Sequence, residues 1–439
     1  MEQGQGRLVD LEPEHKRALL VGTYKTTGEK GACNDQLAEL ESLCNTYGLI
    51  AAVQIACPLR AIESATFIGT GKVEEIRLSV IENQIDIVIF DDEISPQQQR
   101  NLEKQFEKIT IDRTELILGV FAQRAHSREA KIQIELANLK YQMPRLRRMW
   151  THLSRQRTGG GGGSGGGGYL KGEGEKQIEI DRRIVRSRID RLEKGLKEVK
   201  KGRELQRRAR KRAEIPIFAI VGYTNAGKST LMNALTDADV LVEDKLFATL
   251  DTTTRKFTLP NRQEILLTDT VGFIRKIPHL LVASFKSTLE EAIQADILIH
   301  LIDASAPAAP AQAEATLQVI KELGAEKLPR ITVLNKVDQC PTRLLIDRLR
   351  FKYPKTVEIS ALNKEGLENL TEAMIREIAL LRKQIRLRIP QSEYALVSEV
   401  LREGKVISCE YEENDILLEV EIPKSLERKV VAFEVGLEP

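Results

Sequence analysis

The chain has 439 residues, of which 42% are hydrophobic and 30% charged, and its net charge is +2. That length exceeds a single hydrophobic core and predicts about three domains of roughly 100–200 residues each. No apolar run reaches the ~18 residues of a membrane-spanning helix, the polar opening MEQGQGRLVDLEPEHK lacks a secretory apolar stretch, and five scattered cysteines without a CxxC pair exclude a zinc site and fit a reducing, cytoplasmic setting.

Residues 17 to about 120 alternate strand-like and helix-like stretches. Segments 17–24, 50–57 and 85–90 are short, apolar and β-branched. Segments 34–47, 71–83 and 95–108 carry helical spacing with polar faces, and Ser95-Pro96 supplies an N-cap followed by proline in the first turn. The alternation predicts an α/β domain over 1–120 with a mainly parallel sheet. Gly69-Thr70-Gly71-Lys72 lacks the trailing Ser/Thr and full spacing of a phosphate loop and reads as a turn entering a helix, with a weak N-terminal nucleotide site as the alternative.

From about 116 to 156 Pro144 is the sole turn signal, which predicts one long helix. The run 159–168 holds nine glycines interrupted by Ser164. After it, 173–212 is free of proline, with Ile180, Ile184, Ile189, Leu192, Leu196 and Val199 as an apolar seam. Two long helices around a glycine tip predict an antiparallel hairpin over 121–214. The tip reads either as a passive linker, natural or engineered, or as a probe for a crevice that side chains cannot enter. Between residues 140 and 214 there are 23 Lys/Arg against 9 Asp/Glu, so a whole-chain charge of +2 hides a segment of +14 inside a remainder of −12. Concentrated cations of this kind suit a phosphate backbone, through counterion release. An ordinary solvated helix face is the alternative.

The third region, 215–382, carries the chemistry. A strand pattern at 217–221 runs into Gly222-Tyr223-Thr224-Asn225-Ala226-Gly227-Lys228-Ser229-Thr230 and then a helix. This is G-x-x-x-x-G-K-S in the strand–loop–helix context of a P-loop. Its backbone N–H groups would wrap phosphates, Lys228 would reach the β- and γ-phosphates, and Ser229 would offer a hydroxyl to Mg2+. The strand 264–268 leads into Asp269-Thr270-Val271-Gly272, where Asp269 could hold Mg2+ through water and the Gly272 N–H could meet the γ-phosphate.

The strand 331–334 ends in Asn335-Lys336-Val337-Asp338. The Asp338 carboxylate can accept from both N1–H and the exocyclic amine of guanine, a pair that adenine cannot offer. Ser360-Ala361-Leu362 follows another strand and could present an N–H to the guanine O6. A γ-phosphate-sensing switch is expected in 246–255. Thr249 is the preferred Mg2+ ligand there, with Thr252, Thr253 and Thr254 left open by spacing alone.

Where a water-orienting glutamine would follow Gly272, the chain has Phe273, so intrinsic hydrolysis should be slow and partner-dependent. Lys228, Thr249 and Gly272 are then the groups expected to act on the γ-phosphate. Asn225 reads either as a ligand for a monovalent cation (K+) bridging the phosphates or as a support for the loop. The final region, 383–439, reads as strand, helix (392–403), hairpin and a last strand over 429–435. It makes a small α+β module with no recognisable chemistry.

Several motifs together resemble the HflX family, within the Obg–HflX group of GTPases. They are FIGTGKVEEI (67–76), FDDEISPQQQRNLE (90–103), DRTELIL (112–118), FAQRA (121–125), LSRQR before the glycines, GEGEKQIEIDRR (172–183), LFATLD, and DTVGFIRKIPHLLVASFKSTLEE (269–291). Phenylalanine in place of the glutamine is characteristic of that group. The resemblance implies a multidomain α/β protein: an N-terminal α/β domain with a long helical hairpin, a Ras-like GTPase domain with a mixed sheet flanked by helices, and a small C-terminal α+β domain.

It implies GTP and GDP as ligands, Mg2+ as cofactor, and the large ribosomal subunit with its rRNA as partner, the hairpin tip reaching toward the peptidyl-transferase centre. Dissociation of stalled ribosomes under stress is the implied role. A monomer is expected, cytoplasmic and without a membrane span, with peripheral membrane association left open. Thr249 matches the family's switch threonine. Two departures stand out: Thr252 replaces the proline that commonly follows LFATLD, and the glycine run is longer than the usual tip. An RNA-remodelling NTPase and a nucleotide-regulated RNA- or ribosome-binding module remain as rival readings.

Overall fold

The computed structural model describes residues 16–145, 170–212, 215–236, 246–247, 250, 252–276, 294–340, 342–412 and 414–435. The glycine run and Thr249 lie outside the described residues.

Four strands, β1 (Arg17–Tyr24), β2 (Ile50–Pro58), β3 (Ile87–Phe90) and β4 (Ile109–Asp112), form a parallel sheet in the order β2-β1-β3-β4. Period-2 alternation splits their side chains between two cores. Leu20, Ile87 and Ile89 meet Leu37, Leu40 and Cys44 of α1 (Lys30–Tyr47) on one face. Leu19, Val21, Val88 and Phe90 meet α2 (Thr70–Glu82) and α3 (Pro96–Phe106) on the other. The Ser95 signal is realised as a full capping box: Gln98 N donates to Ser95 Oγ at 3.2 Å and Ser95 N donates to Gln98 Oε1 at 2.9 Å. Gly69 sits at the N-terminus of α2, and Lys72 is paired with Glu75 at 2.7 Å, as a turn entering a helix requires.

The expected long helix from about 116 is broken. The chain forms α4 (Arg113–Arg124) and α5 (Arg128–Gln142), because Ala125 is extended and the Ser127 side chain caps α5 by accepting from Ala130 N at 3.0 Å. The second hairpin helix, α6 (Leu170–Arg212), runs 43 residues. Ile189 is buried on the seam, whereas Ile180 and Ile184 are exposed. α5 meets α6 around Gly195, which faces Ile132, and at the Lys140–Glu193 pair (2.8 Å).

A buried polar knot roots the hairpin. Asp112 caps α4 through Glu115 N (3.0 Å) and accepts from Tyr141 Oη (2.9 Å) and Arg145 (3.2 Å), while Arg145 also donates to Ile94 O at 2.8 Å. Desolvation pushes the Asp112 carboxyl up to about 6 against the opposing pull of Arg145.

The next domain is a six-stranded sheet in the order β10-β9-β8-β5-β7-β6. Its elements are β5 (Ile217–Gly222), α7 (Lys228–Thr236), β6 (Thr253–Thr258), β7 (Glu264–Asp269), β8 (Ile297–Asp303), α8 (Ala309–Glu322), β9 (Arg330–Asn335), α9 (Leu344–Lys352), β10 (Thr356–Glu358) and α10 (Leu367–Leu381). All pairs are parallel except β6–β7, so the carboxyl ends of β5, β7, β8, β9 and β10 open on one edge, where ligands of such sheets bind.

On β8, His300 is wholly buried beside Tyr353 (ring centroids 6.1 Å), and neither its ring nitrogens nor the Tyr353 hydroxyl has a hydrogen-bond partner among the described residues. Burial depresses the imidazole to about 3, below its unfolded 6.5. Protonation of His300 therefore costs no stability above pH 6.5, and stability is lost through this group as pH falls from 6.5 toward 3. His300→Leu is expected to raise stability by ~1–3 kcal/mol at pH 7 and to flatten this acid slope. Urea unfolding at pH 7 and pH 5 checks both, and a destabilised variant with an unchanged slope would refute the assignment.

The C-terminal module follows without a linker. It contains β11 (Arg382–Pro390), α11 (Tyr394–Glu403), β12 (Lys405–Glu412), β13 (Asp415–Pro423), α12 (Lys424–Val430) and β14 (Glu434–Val435), in the antiparallel order β12-β13-β11-β14. The strand expected over 429–435 is mostly absent. Leu426 and Val430, spaced i, i+4, are buried as one face of α12, and only two residues remain for β14.

Candidate nucleotide-binding site

The P-loop leaves β5 at Gly222 and enters α7 at Lys228. Gly227 has φ +92°, and any Cβ there would strike the Asn335 amide, so the sharp return into the helix needs glycine. Asn225 is left-handed at φ +62°. Lys228 Nζ is curled back on Tyr223 O at 2.8 Å and buried. Desolvation lowers its pKa to about 8, partly offset by Asp269. A buried ammonium held, among the described residues, by one carbonyl with a carboxylate nearby is a site prepared for an anion.

Ser229 Oγ donates to Asp269 Oδ2 at 2.7 Å, joining the hydroxyl and carboxylate expected to serve Mg2+. Among the described residues no cluster of three His, Cys, Asp or Glu could hold a metal. A hydroxyl and a carboxylate are hard oxygen donors of the kind Mg2+ takes beside phosphate oxygens and water. Thr253 pairs with Asp269 across the β6–β7 ladder and its buried hydroxyl has no hydrogen-bond partner among the described residues, whereas the Thr254 hydroxyl meets that of Thr268 at 3.1 Å.

The DTVG segment is tied to the P-loop by its backbone. Thr224 N donates to Phe273 O (2.7 Å) and Phe273 N donates to Gly222 O (3.1 Å). The Phe273 ring is buried with Tyr223 and Phe247, so it presents nothing to a water. Gly272 lies so close that an added Cβ would stand 2.7 Å from Thr224 Cγ2 and 3.0 Å from Lys228 Nζ.

Asn335 acts as a staple. Its Nδ2 donates to Ala226 O (2.9 Å) and its Oδ1 accepts from Ala361 N (2.9 Å), fixing the P-loop against the Ser360–Leu362 loop. Lys336 is left-handed at φ +60° and paired with Asp303 at 2.8 Å, and Asp338 is exposed on the short turn after β9. Ser360 is buried and its Oγ accepts from Asn363 N at 3.2 Å, while Leu362 is exposed.

Sequence reasoning missed what the N-terminal domain brings. Tyr223 Oη donates to Glu39 and accepts from Arg275 N at 2.7 Å. Burial, and then the Glu39 carboxylate, push that phenol upward. Glu39 and Asp91 flank Arg113, and Lys276 bridges Asp91 (2.6 Å) and Asp92 (2.7 Å). No local pattern could reveal partners 184 residues apart.

The chain matches family models described as GTP-binding GTPase N-terminal (34–122), GTP-binding GTPase middle region (124–210) and 50S ribosome-binding GTPase (217–336). It is 46% identical over 423 residues to the GTPase HflX of Chlamydia pneumoniae, covering 96% of this chain and 89% of that one. The chain belongs to the HflX GTPase family. The HflX GTPase of Escherichia coli K12 is 41% identical over 411 residues, 93% of this chain and 94% of that one. A solved structure of SsGBP with GDP aligns over 83% of this chain and 98% of its own, at 26% identity and a TM-score of 0.47. As an HflX GTPase this chain binds and hydrolyses GTP. No helix among the described residues is long and apolar enough to cross a membrane.

Proposed function

We propose that this GTPase works on the large ribosomal subunit and dissociates stalled ribosomes in the cytoplasm, GTP favouring the bound form and hydrolysis permitting release. The observation that carries the reading is the match of residues 217–336 to a model described as 50S ribosome-binding GTPase. The strongly basic segment 140–214 supports it, since 23 cationic side chains against 9 acidic ones suit an rRNA surface. The nucleotide pocket is Gly222 to Thr230 with Asp269, Asn335, Lys336, Asp338 and Ser360 to Leu362, and Mg2+ is held by Ser229, by Thr249, and by Asp269 through water. A K+ ion beside Asn225 adds positive charge at the phosphates.

The test is GTP turnover by the protein alone, with large subunits and with matched naked rRNA. Stimulation by subunits of about tenfold or more, with little by RNA, is expected, because Phe273 leaves water positioning to a folded partner. Equal stimulation by naked RNA would favour an RNA-remodelling NTPase, and none by subunits would refute the proposal. Conversion of stalled ribosomes to subunits on sucrose gradients reads the dissociation step. Exchange of K+ for Na+ in the turnover assay reads the cation.

A further inference from the structure

Thr224 occupies one of the four P-loop positions that the G-x-x-x-x-G-K-S pattern leaves open. The residue is 6% exposed, and its hydroxyl oxygen is buried without a hydrogen-bond partner among the described residues. A buried hydroxyl left unpaired costs roughly 1–3 kcal/mol, and such atoms concentrate where a ligand completes the bonding. The surroundings say which ligand. Thr224 N is already committed to Phe273 O. Its Cα and Cγ2 lie 2.8 and 2.7 Å from where a Gly272 Cβ would be, and that same point is 3.0 Å from Lys228 Nζ. Thr224 therefore stands between the loop that holds the phosphates and the glycine that senses the terminal one, in a site where the phenyl ring of Phe273 is turned into the core.

We propose that the Thr224 hydroxyl is a catalytic hydrogen-bond donor to the γ-phosphoryl group of GTP, supplying part of the side-chain polarity that Phe273 cannot. In hydrolysis, water attacks the γ-phosphorus and the bond to the β–γ bridging oxygen breaks. GDP leaves with that oxygen, and the proton of the water passes to the released phosphate. Thr224 gains and loses no proton; its bond strengthens as charge gathers on the γ-phosphoryl oxygens. The inference rests on the GTPase assignment, which wild-type turnover checks separately.

Thr224→Val keeps the shape and the β-branch and removes only the hydroxyl, while Thr224→Ser keeps the hydroxyl and removes the methyl. In the full chain, Thr224→Val is expected to lower kcat about tenfold or more. GDP affinity should stay within about twofold and the thermal midpoint should be equal or higher, because an unpaired buried group has gone. The affinity for a non-hydrolysable GTP analogue relative to GDP should fall several-fold, a readout independent of turnover. Thr224→Ser should keep kcat within about threefold. Wild-type kcat and an unchanged analogue-to-GDP ratio in Thr224→Val would overturn the proposal. So would equal weakening of GDP and analogue, which would place the hydroxyl's effect on the loop and not on the γ-phosphate.

Discussion

Asp338→Asn is expected to weaken GTP and GDP binding by about 10^2- to 10^4-fold and to move preference toward xanthosine nucleotides. The carboxylate has two acceptor oxygens for the two donors that guanine presents, N1–H and the exocyclic amine. An amide can accept from N1–H but sets an N–H against the amine, donor to donor. Xanthine carries a carbonyl where guanine carries the amine, so the same amide meets it with a matched donor. The substitution should leave the fold intact, because Asp338 is exposed on a short turn after β9. The neighbouring Lys336 stays anchored on Asp303, and Asn335 continues to staple Ala226 to Ala361. Competition binding of GDP, XDP and ADP to wild type and variant is the measurement. Unchanged GDP affinity, or a loss with no gain for XDP, would mean that Asp338 does not read the base.

How much of this was legible in the sequence follows the range of the interactions. The Ser95-Pro96 cap and the P-loop with its flanking strand and helix are local patterns, and they appear as written. The burial of β8 and β9 follows from apolar runs broken by a single polar residue each, His300 and Thr332. The failures are also local: the Ser127 cap splits a stretch whose spacing reads as one helix, and Lys429 and Val430, which read as the start of a last strand, close the helix that buries Leu426 and Val430. What no local pattern could show is tertiary. Asn335 turned out to brace two loops, and Tyr223 reaches Glu39 in another domain. The environment of Thr224 depends on where Gly272 folds back, a contact set by β-bridging of Tyr223 with Phe273. The family resemblance extended the reading beyond local patterns, because similar chains have already solved the same tertiary problem.

Lys228 should make nucleotide binding proton-linked above pH 8. Burial holds its ammonium at a pKa of about 8 in the free protein, against 10.5 when unfolded. The sign follows directly: the fold disfavours the charged form, so Lys228 costs stability below pH 8, and that cost is relieved as pH rises from 8 toward 10.5. Bound phosphates reverse the balance by supplying the missing counter-charge, which pulls the pKa back up. GDP binding at pH 9 should therefore take up a proton, approaching one per site, while binding at pH 7 takes up almost none through this group. Affinity should fall by about tenfold per pH unit above 8. Calorimetric titrations in buffers of different ionisation enthalpy measure the uptake. Lys228→Met should abolish it, weaken GDP by about 10^2-fold or more, and raise the stability of the free protein by on the order of 1–3 kcal/mol at pH 7. Stability and function then move in opposite directions at one residue, as expected where a fold carries an uncompensated charge for its ligand. Equal affinity at pH 7 and 9 with no proton uptake would show that the ammonium stays charged in the free protein, and a destabilised Lys228→Met would say that its aliphatic stem, not its charge, dominates the site.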